Sequence, residues 1–362
     1  MRRTLLAVVG LSVGVVAATS FAGDFEARGV VALLPIQDRA GDDRAVAAVE
    51  QALLLQLEEG AQVLDRDRTR GVLRRMRLRN VDAVPQRVIE QLATELGADW
   101  LVSATVHDAE RRIAPRLTLS ARVYRGSTGE PSWIGFVGGS GLDGRSVLGL
   151  GVISELEALV PHVVKRLELK LEGDQTDNGD ENLRSRNPAG ASLGRLAIVP
   201  FAGLTPRRAT ANSETLTEAS RAALHDAGVS LVSPGCTSEA LRHHRRFRWG
   251  GVDSETGGLL RGVCAADSIL TGSVERYDVG GAQAEPEPRV ALSLRLLDAE
   301  TGAIIWTGAL ERRGWGRQGL FGLGRVHSRG DLTEAMMQSL IRRLVRERTQ
   351  QLRQARRHDD RR

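Results

Sequence analysis

The chain carries one set of fold instructions twice. Residues 116–135 read RLTLSARVYRGSTGEPSWIG and residues 289–308 read RVALSLRLLDAETGAIIWTG, each a strand pattern, a turn, and a second strand with Trp two residues before Gly. Other blocks match in the same order: VALLP at 31–35 with LAIVP at 196–200, GADWLVSATV at 97–106 with AADSILTGSV at 265–274, and VLGLGVI at 147–153 with LFGLGRV at 320–326. The interval between matched blocks grows slowly along the chain, as small insertions in loops produce. Copies of roughly 140–170 residues are too long for a solenoid unit and are the size of a domain. Two similar domains are expected, at 23–171 and 193–345.

Within a copy the periodicities alternate between strand and helix. The apolar run 29–36 reads as a strand buried on both faces. Val46, Val49, Leu53, Leu54 and Leu57 recur at helical spacing before Gly60. A short strand at 61–64 follows, then a helix holding Val72, Leu73 and Met76 that Asp65 or Asp67 would cap. Val88, Leu92 and Leu96 share a face of the next helix, which Gly97 ends. Strands at 100–106, 117–124 and 131–137, joined around Arg111 and by the turn Gly126, Ser127, Thr128, Gly129, read as an antiparallel meander. A last helix carries Leu156, Leu159, Val160, Val163, Val164 and Leu167 behind a capping box of Ser154 and Glu157; its counterpart carries Leu332, Met336, Met337, Leu340 and Leu344 behind Ser328 and Asp331. The expected class is α/β: two similar domains, each a mixed sheet with an antiparallel meander covered by helices. Trp133 and Trp306 fall on equivalent strands as packed aromatics, and the repeated Asp99 and Asp267 read as turn or helix-end groups.

The flanking segments speak to location. Arg2 and Arg3, an apolar run from Leu5 to Ala18, and Ser20, Phe21, Ala22 before Gly23 have the layout of a cleaved secretory signal peptide over 1–22. Gly23 and Asp24 stand where a bacterial lipoprotein carries its acylated Cys, so a periplasmic protein without a lipid anchor is expected. The formal net charge of +5 includes Arg2 and Arg3, and with export it does not suggest a nucleic-acid partner. Residues 172–192 are acidic and rich in Gly, Asn and Asp, the composition of a flexible linker. The basic tail, 346–362, reads as a solvated helix end or as a surface for an anionic envelope polymer, with membrane association peripheral at most. Cys236 and Cys264 form a disulfide or remain two buried thiols, and the first copy has no Cys at either matching position.

With a helix after VALLP or LAIVP, a short strand, GAD or AAD leading into a strand, and LRLLDAETGAIIW, each half resembles the periplasmic domain of the curli-secretion channel protein CsgG. The amino-terminal domain of TolB and the lipoprotein activators of penicillin-binding proteins look like relatives of that fold. The resemblance covers nearly all of each half and rests on structural motifs. It implies an envelope protein that works by binding other proteins. Phe136 to Gly151 is too short and Gly-rich for the hairpin of a channel subunit.

Chemistry-bearing constellations are sparse. Gly149 and Gly151, like Gly322 and Gly324, precede a helix, but no Lys-Ser or Lys-Thr follows as a phosphate loop demands, so a demanding turn is the simpler account. Arg242, His243, His244, Arg245, Arg246, Phe247, Arg248 and Trp249 form a basic run, either an exposed basic helix end with one aromatic anchor or a surface for a partner or anionic polymer, since Arg with Trp favours an interface; no third ligand stands at metal spacing. Trp315, Leu320 and Phe321 add a second candidate surface. His107, His162, His225 and His327 are isolated in sequence, and no nucleophile elbow is present, so no catalytic, cofactor or metal site is assigned. The expectation is a non-enzymatic periplasmic adaptor whose partner is a protein of envelope assembly, secretion or cell-wall synthesis. A secretion-channel component and a small-ligand or nucleotide-binding protein are the alternatives.

Overall fold

A computed structural model describes residues 29–78, 84–145, 150–178, 190–203, 209–243, 252–280, 287–316 and 325–359. The first domain orders its elements as β1 (Val30–Leu33), β2 (Gln37–Asp38), α1 (Asp43–Glu58), β3 (Gln62–Val63), α2 (Arg66–Arg75), α3 (Gln86–Leu96), β4 (Trp100–Glu110), β5 (Arg116–Arg125), β6 (Pro131–Ser140) and α4 (Leu156–Asn178). The second repeats the plan with β7 (Leu196–Ile198), β8 (Ala202–Gly203), α5 (Ala209–Asp226), α6 (Pro234–His243), α7 (Ser254–Cys264), β9 (Ser268–Gly280), β10 (Glu287–Asp298), β11 (Ile304–Arg313) and α8 (Arg329–Asp359). The sheets run β3-β1-β4-β5-β6 and β11-β10-β9-β7, with β2 on β4 and β8 on β9. The leading strands pair in parallel and the last three antiparallel, giving two similar domains built on mixed sheets.

Local chemistry places the elements. Asp42 caps α1 by accepting from Arg44 N and Ala45 N at 3.1 and 3.0 Å, and Asp65 caps α2 through Asp67 N and Arg68 N. Gly97 ends α3 with φ 68°, whereas Ala265 takes the same left-handed turn after α7 with φ 52°. Ser328 Oγ accepts from Asp331 N at 2.9 Å at the start of α8. Glu157 instead accepts from Arg111 Nη1 at 2.7 Å, while Arg111 Nε donates to Asp42, so one guanidinium ties α4 to the cap of α1. The helix α4 runs seven residues beyond Leu171, into the segment read as linker; 179–189 lie outside the described residues. Its counterpart α8 continues through the arginine-rich end to Asp359.

Each sheet is covered on its front by its first and last helix. In the first domain, Ala45, Val49, Leu53 and Leu57 of α1 and Leu156, Val160, Val163, Val164, Leu167 and Leu171 of α4 pack on Val102, Leu117, Leu119, Val123 and Trp133. In the second, Leu216 and Leu224 of α5 and Met336, Met337, Leu340 and Leu344 of α8 pack on Leu270, Leu292, Leu294, Leu296 and Trp306. The helix pairs α2–α3 and α6–α7 cover the parallel end of each sheet's back around Leu34, Leu92 and Leu101, and around Leu241, Leu260 and Ile269. The repeated Trp-x-Gly is explained by shape: a Cβ on Gly135 would stand 2.1 Å from the Trp133 ring, and one on Gly308 would stand 2.3 Å from the Trp306 ring. Each indole lies over its own glycine.

The two domains share a core. Ile134 and Phe136 of β6 belong to the cluster formed by α5, α8 and the second sheet. Helices α5 and α8 are therefore sandwiched, one side on their own sheet and the other on the back of the first domain's meander.

Candidate interaction surfaces

The back of the first meander carries the densest set of buried polar groups. Strand alternation turns Thr118, Ser120 and Arg122 away from the front core, and all three are buried. Arg122 Nη2 donates to Glu218 of α5, whose other oxygen accepts from Arg221 Nη1 at 2.7 Å. His107 bonds Ser120 Oγ at 2.8 Å through Nε2 and lies 3.4 Å from Thr215 Oγ1 through Nδ1. Arg39 pairs with Glu214 at 3.3 Å. Farther along, Arg329 of α8 donates to Asp108 and Glu110 at 2.8 and 2.9 Å and stacks over the Tyr277 ring. Arg166 donates to Asp331 at 2.7 Å, and Lys170 pairs with Glu334. Between these pairs the backbones nearly touch: a Cβ on Gly138 would stand 2.2 Å from Asp331 N, and one on Gly330 would stand 2.7 Å from the Gly138 Cα.

Burial sets the charge states in this seam. Burial lowers the His107 pKa to about 4, helped by Arg122 and Arg39 and opposed by Glu218, so the ring is neutral at pH 7. Burial alone would raise Glu218, but Arg122 and Arg221 outweigh it and bring its pKa down to about 2. Asp143, near α8, is raised to about 6 by burial and by Asp331, against the Ser140 N–H and Arg166. The seam is thus a neutral histidine beside a fully ionised Arg–Glu–Arg group. Through it, α5 is tied to the back of the first meander by Glu218 on Arg122 and Thr215 beside His107.

The residues singled out in the sequence go to three places. Cys236 of α6 and Cys264 of α7 form a disulfide. Beside it, α3 of the first domain faces α6 of the second, and Arg87 bonds Glu239 across the gap at 2.7 Å. Two adjoining cavities of about 490 and 470 Å³, both lined by Gln86, Arg195 and Ser233, make a trough along this edge of the seam. The first adds Arg87, Glu90, Glu239 and Val263; the second adds Glu130 and His225. Val263 is 56% exposed on its wall. Arg242 and His243, at the end of α6, are exposed, and Arg242 Nε donates to Ser238 O at 3.2 Å. His244, Arg245, Arg246, Phe247, Arg248 and Trp249 lie outside the described residues, as do Leu320 and Phe321. Trp315 is half-buried, with the Arg325 guanidinium 4.9 Å from its ring centroid.

Other repeated features have structural explanations. Asp99 accepts from Val30 N and Asp267 accepts from Arg195 N, both at 2.8 Å, so each carboxylate satisfies the backbone at the entry to its domain's first strand. Gly151 has φ 85°, and a Cβ there would stand 2.3 Å from Gly144 O, which accounts for it as a turn residue; Gly149, Gly322 and Gly324 lie outside the described residues. Among the described residues no group of three or more His, Cys, Asp or Glu is arranged to hold a metal ion, and no helix is long and apolar enough to cross a membrane. Sequence reasoning missed the seam because Arg122, His107 and Glu218 look like surface residues one at a time. A signal was present in β6, where Ile134 and Phe136 are apolar on the face that β11 fills with Thr307 and Ala309.

No family model matches the chain, and a search of curated proteins finds no match. Solved structures similar to it include the PelC dodecamer from Paraburkholderia phytofirmans, at 19% identity over 41% of this chain and 85% of that one, with a TM-score of 0.27. A lipoprotein from Neisseria meningitidis is similar at 16% identity, 42% and 98% coverage and a TM-score of 0.30. The LpoB C-terminal domain from Escherichia coli is similar at 18%, 34% and 87%, with a TM-score of 0.25.

Proposed function

We propose that this chain is an exported, non-enzymatic adaptor of the cell envelope, built from two CsgG-like domains, that binds a protein partner of envelope assembly, secretion or cell-wall synthesis. The trough beside the disulfide carries this reading. It is walled by both domains, so it exists only when they are docked, and one wall is held by the link between Cys236 and Cys264. Its lining alternates Arg87 and Arg195 with Glu90, Glu130 and Glu239 around an exposed Val263, which suits an extended polypeptide better than a small apolar ligand. The exposed Arg242 and His243 extend that surface along α6.

The test is affinity capture from cross-linked envelopes with the full chain as bait, beside a Val263→Asp bait whose melting temperature matches wild type. The expected result is one or a few envelope proteins recovered with wild type and reduced at least fivefold with the variant. Recovery of no protein above a blank matrix, or equal recovery with both baits, would overturn the reading.

A further inference from the structure

The two copies tie their back helix pairs together at equivalent positions by different chemistry. In the first domain Arg68 of α2 donates through Nη2 to Leu96 O, at the end of α3, at 2.6 Å. The interval of 168 residues that takes Gly97 to Ala265 also takes Arg68 to Cys236 and Leu96 to Cys264, the two ends of the disulfide between α6 and α7. A hydrogen bond indifferent to redox conditions is thus replaced by a bond that two electrons cleave.

The helix held by that bond is the weaker of the pair. The same interval takes the buried anchors Ile89, Leu92 and Leu96 of α3 to Gly257, Leu260 and Cys264 of α7, so one large aliphatic side chain remains where the first copy has three. Gly257 is required by shape, since a Cβ there would stand 2.9 Å from Ala299 O. Gly258 and Gly262 are not: both are exposed, and a Cβ at either would meet nothing within 4 Å among the described residues. Each lowers the helix propensity of α7 without a packing return. None of α7 belongs to the front core of its domain; Leu260 and Cys264 pack only in the back cluster.

The bond is also within reach. Cys236 and Cys264 both line the trough, and Cys236 is half-buried whereas Cys264 is buried. Cys236 is the third residue of α6, where the positive end of the helix dipole favours a thiolate on its sulfur. Val263, next to Cys264, lines the same trough.

We infer that the Cys236–Cys264 disulfide is a redox-modification site, opened from the trough by a dithiol reductant, and that its reduction releases α7 from α6 while both sheets stay folded. A thiolate of the reductant attacks Cys236 Sγ, the S–S bond breaks, and Cys264 leaves as a thiolate that takes up a proton. The reductant's second thiolate then attacks the reductant sulfur of the mixed disulfide, Cys236 leaves as a thiolate, and the reductant ends as a disulfide, two electrons having passed to the protein. Released, α7 carries Val263 off the trough wall. Loss of a protein partner on reduction rests on the trough being the surface proposed above; the release of α7 does not.

The experiment is amide hydrogen exchange on the full-length chain, oxidised and after treatment with dithiothreitol without denaturant, with free thiols counted by alkylation and mass. Residues 86–96 are the internal control, because α3 has no disulfide. Two free thiols are expected, with exchange across 254–264 faster by about tenfold or more in the reduced chain and 86–96 and 268–280 unchanged within about twofold. The variant Gly258→Ala with Gly262→Ala is expected to hold the change across 254–264 below about threefold, because its helix stands without the tie. A bond that dithiothreitol leaves intact until the chain unfolds, unchanged exchange across 254–264, or an equal rise across 268–280 would overturn the inference. Envelope capture with a Cys236→Ala, Cys264→Ala bait, which lacks the link without any reductant acting on the partner, is expected to recover about fivefold less than wild type. Equal recovery of the same partner would overturn the control of the trough. Recovery of nothing by either bait counts against the adaptor, and the exchange result still decides whether α7 is released.

Discussion

At the scale of single residues, the seam turns on Glu218, which stands between Arg122 and Arg221, all three buried. Removing one member of a buried ionic group leaves an uncompensated charge, a loss of about 3–5 kcal/mol. Glu218→Gln is therefore expected to destabilise the chain by about 3 kcal/mol in urea denaturation, with Arg122→Met costing less in its presence than alone. His107 supplies a pH readout of the same seam, facing Ser120, Thr215, Glu218, Arg122 and Arg39. Its folded pKa is about 4 against an ordinary value of 6.5, so the folded state prefers the neutral ring. Between those values the unfolded chain binds more protons; the stability contribution is whole above pH 6.5 and lost as pH falls toward 4. Asp143 works in the opposite sense, because its pKa is raised to about 6 and its contribution is gained as pH falls through that value. The two are separated by comparison with His107→Gln. The stability difference between wild type and variant is expected to shrink by about 3 kcal/mol from pH 7 to pH 4, and a difference that stays constant across that range would rule out a neutral buried ring.

At the scale of elements, the two copies serve as controls for each other. The turn after α3 uses Gly97 at φ 68°, but the turn after α7 uses Ala265 at φ 52°, where a Cβ is disfavoured by about 1–2 kcal/mol. Ala265→Gly is expected to raise stability by about 1 kcal/mol, a gain of about 1–2 degrees in melting temperature for a cooperative unit of this size, and Gly97→Ala to lower it by a similar amount. Most of this level was legible in the sequence. Helix stops at glycine, aspartate caps and the Trp-x-Gly strand are local devices, and local devices leave local marks. The disulfide was legible only as a pairing of two cysteines whose separation the fold had to supply. The seam was not legible for a physical reason. In β5, Leu117, Leu119, Ala121 and Val123 alternate with Arg116, Thr118, Ser120 and Arg122, the pattern of a sheet with one dry and one wet face. The polar face is in fact buried, because its partners come from α5 and α8, far along the chain.

At the scale of the whole molecule, the two similar domains share a core, since Ile134 and Phe136 complete the core of the second. Loss of α5 and α8 would leave the first domain with Phe136 uncovered and with Arg122 stripped of Glu218. The full chain is therefore expected to unfold cooperatively, with hydrogen exchange in β5 and β10 rising at one urea midpoint. A fragment of residues 29–171 is expected to bind a hydrophobic dye and to unfold well below that midpoint, because its meander has lost the helices that bury its back. Replacing Ile134 by Thr and Phe136 by Ala in the fragment gives it the residues β11 carries at Thr307 and Ala309, on a sheet face that stays open. That doubly substituted fragment should bind less dye than the parent fragment, while the same substitutions in the full chain should destabilise it by several kcal/mol through the cavity they leave. A parent fragment that melts as sharply as the full chain, at the same midpoint, would mean that the two domains merely touch.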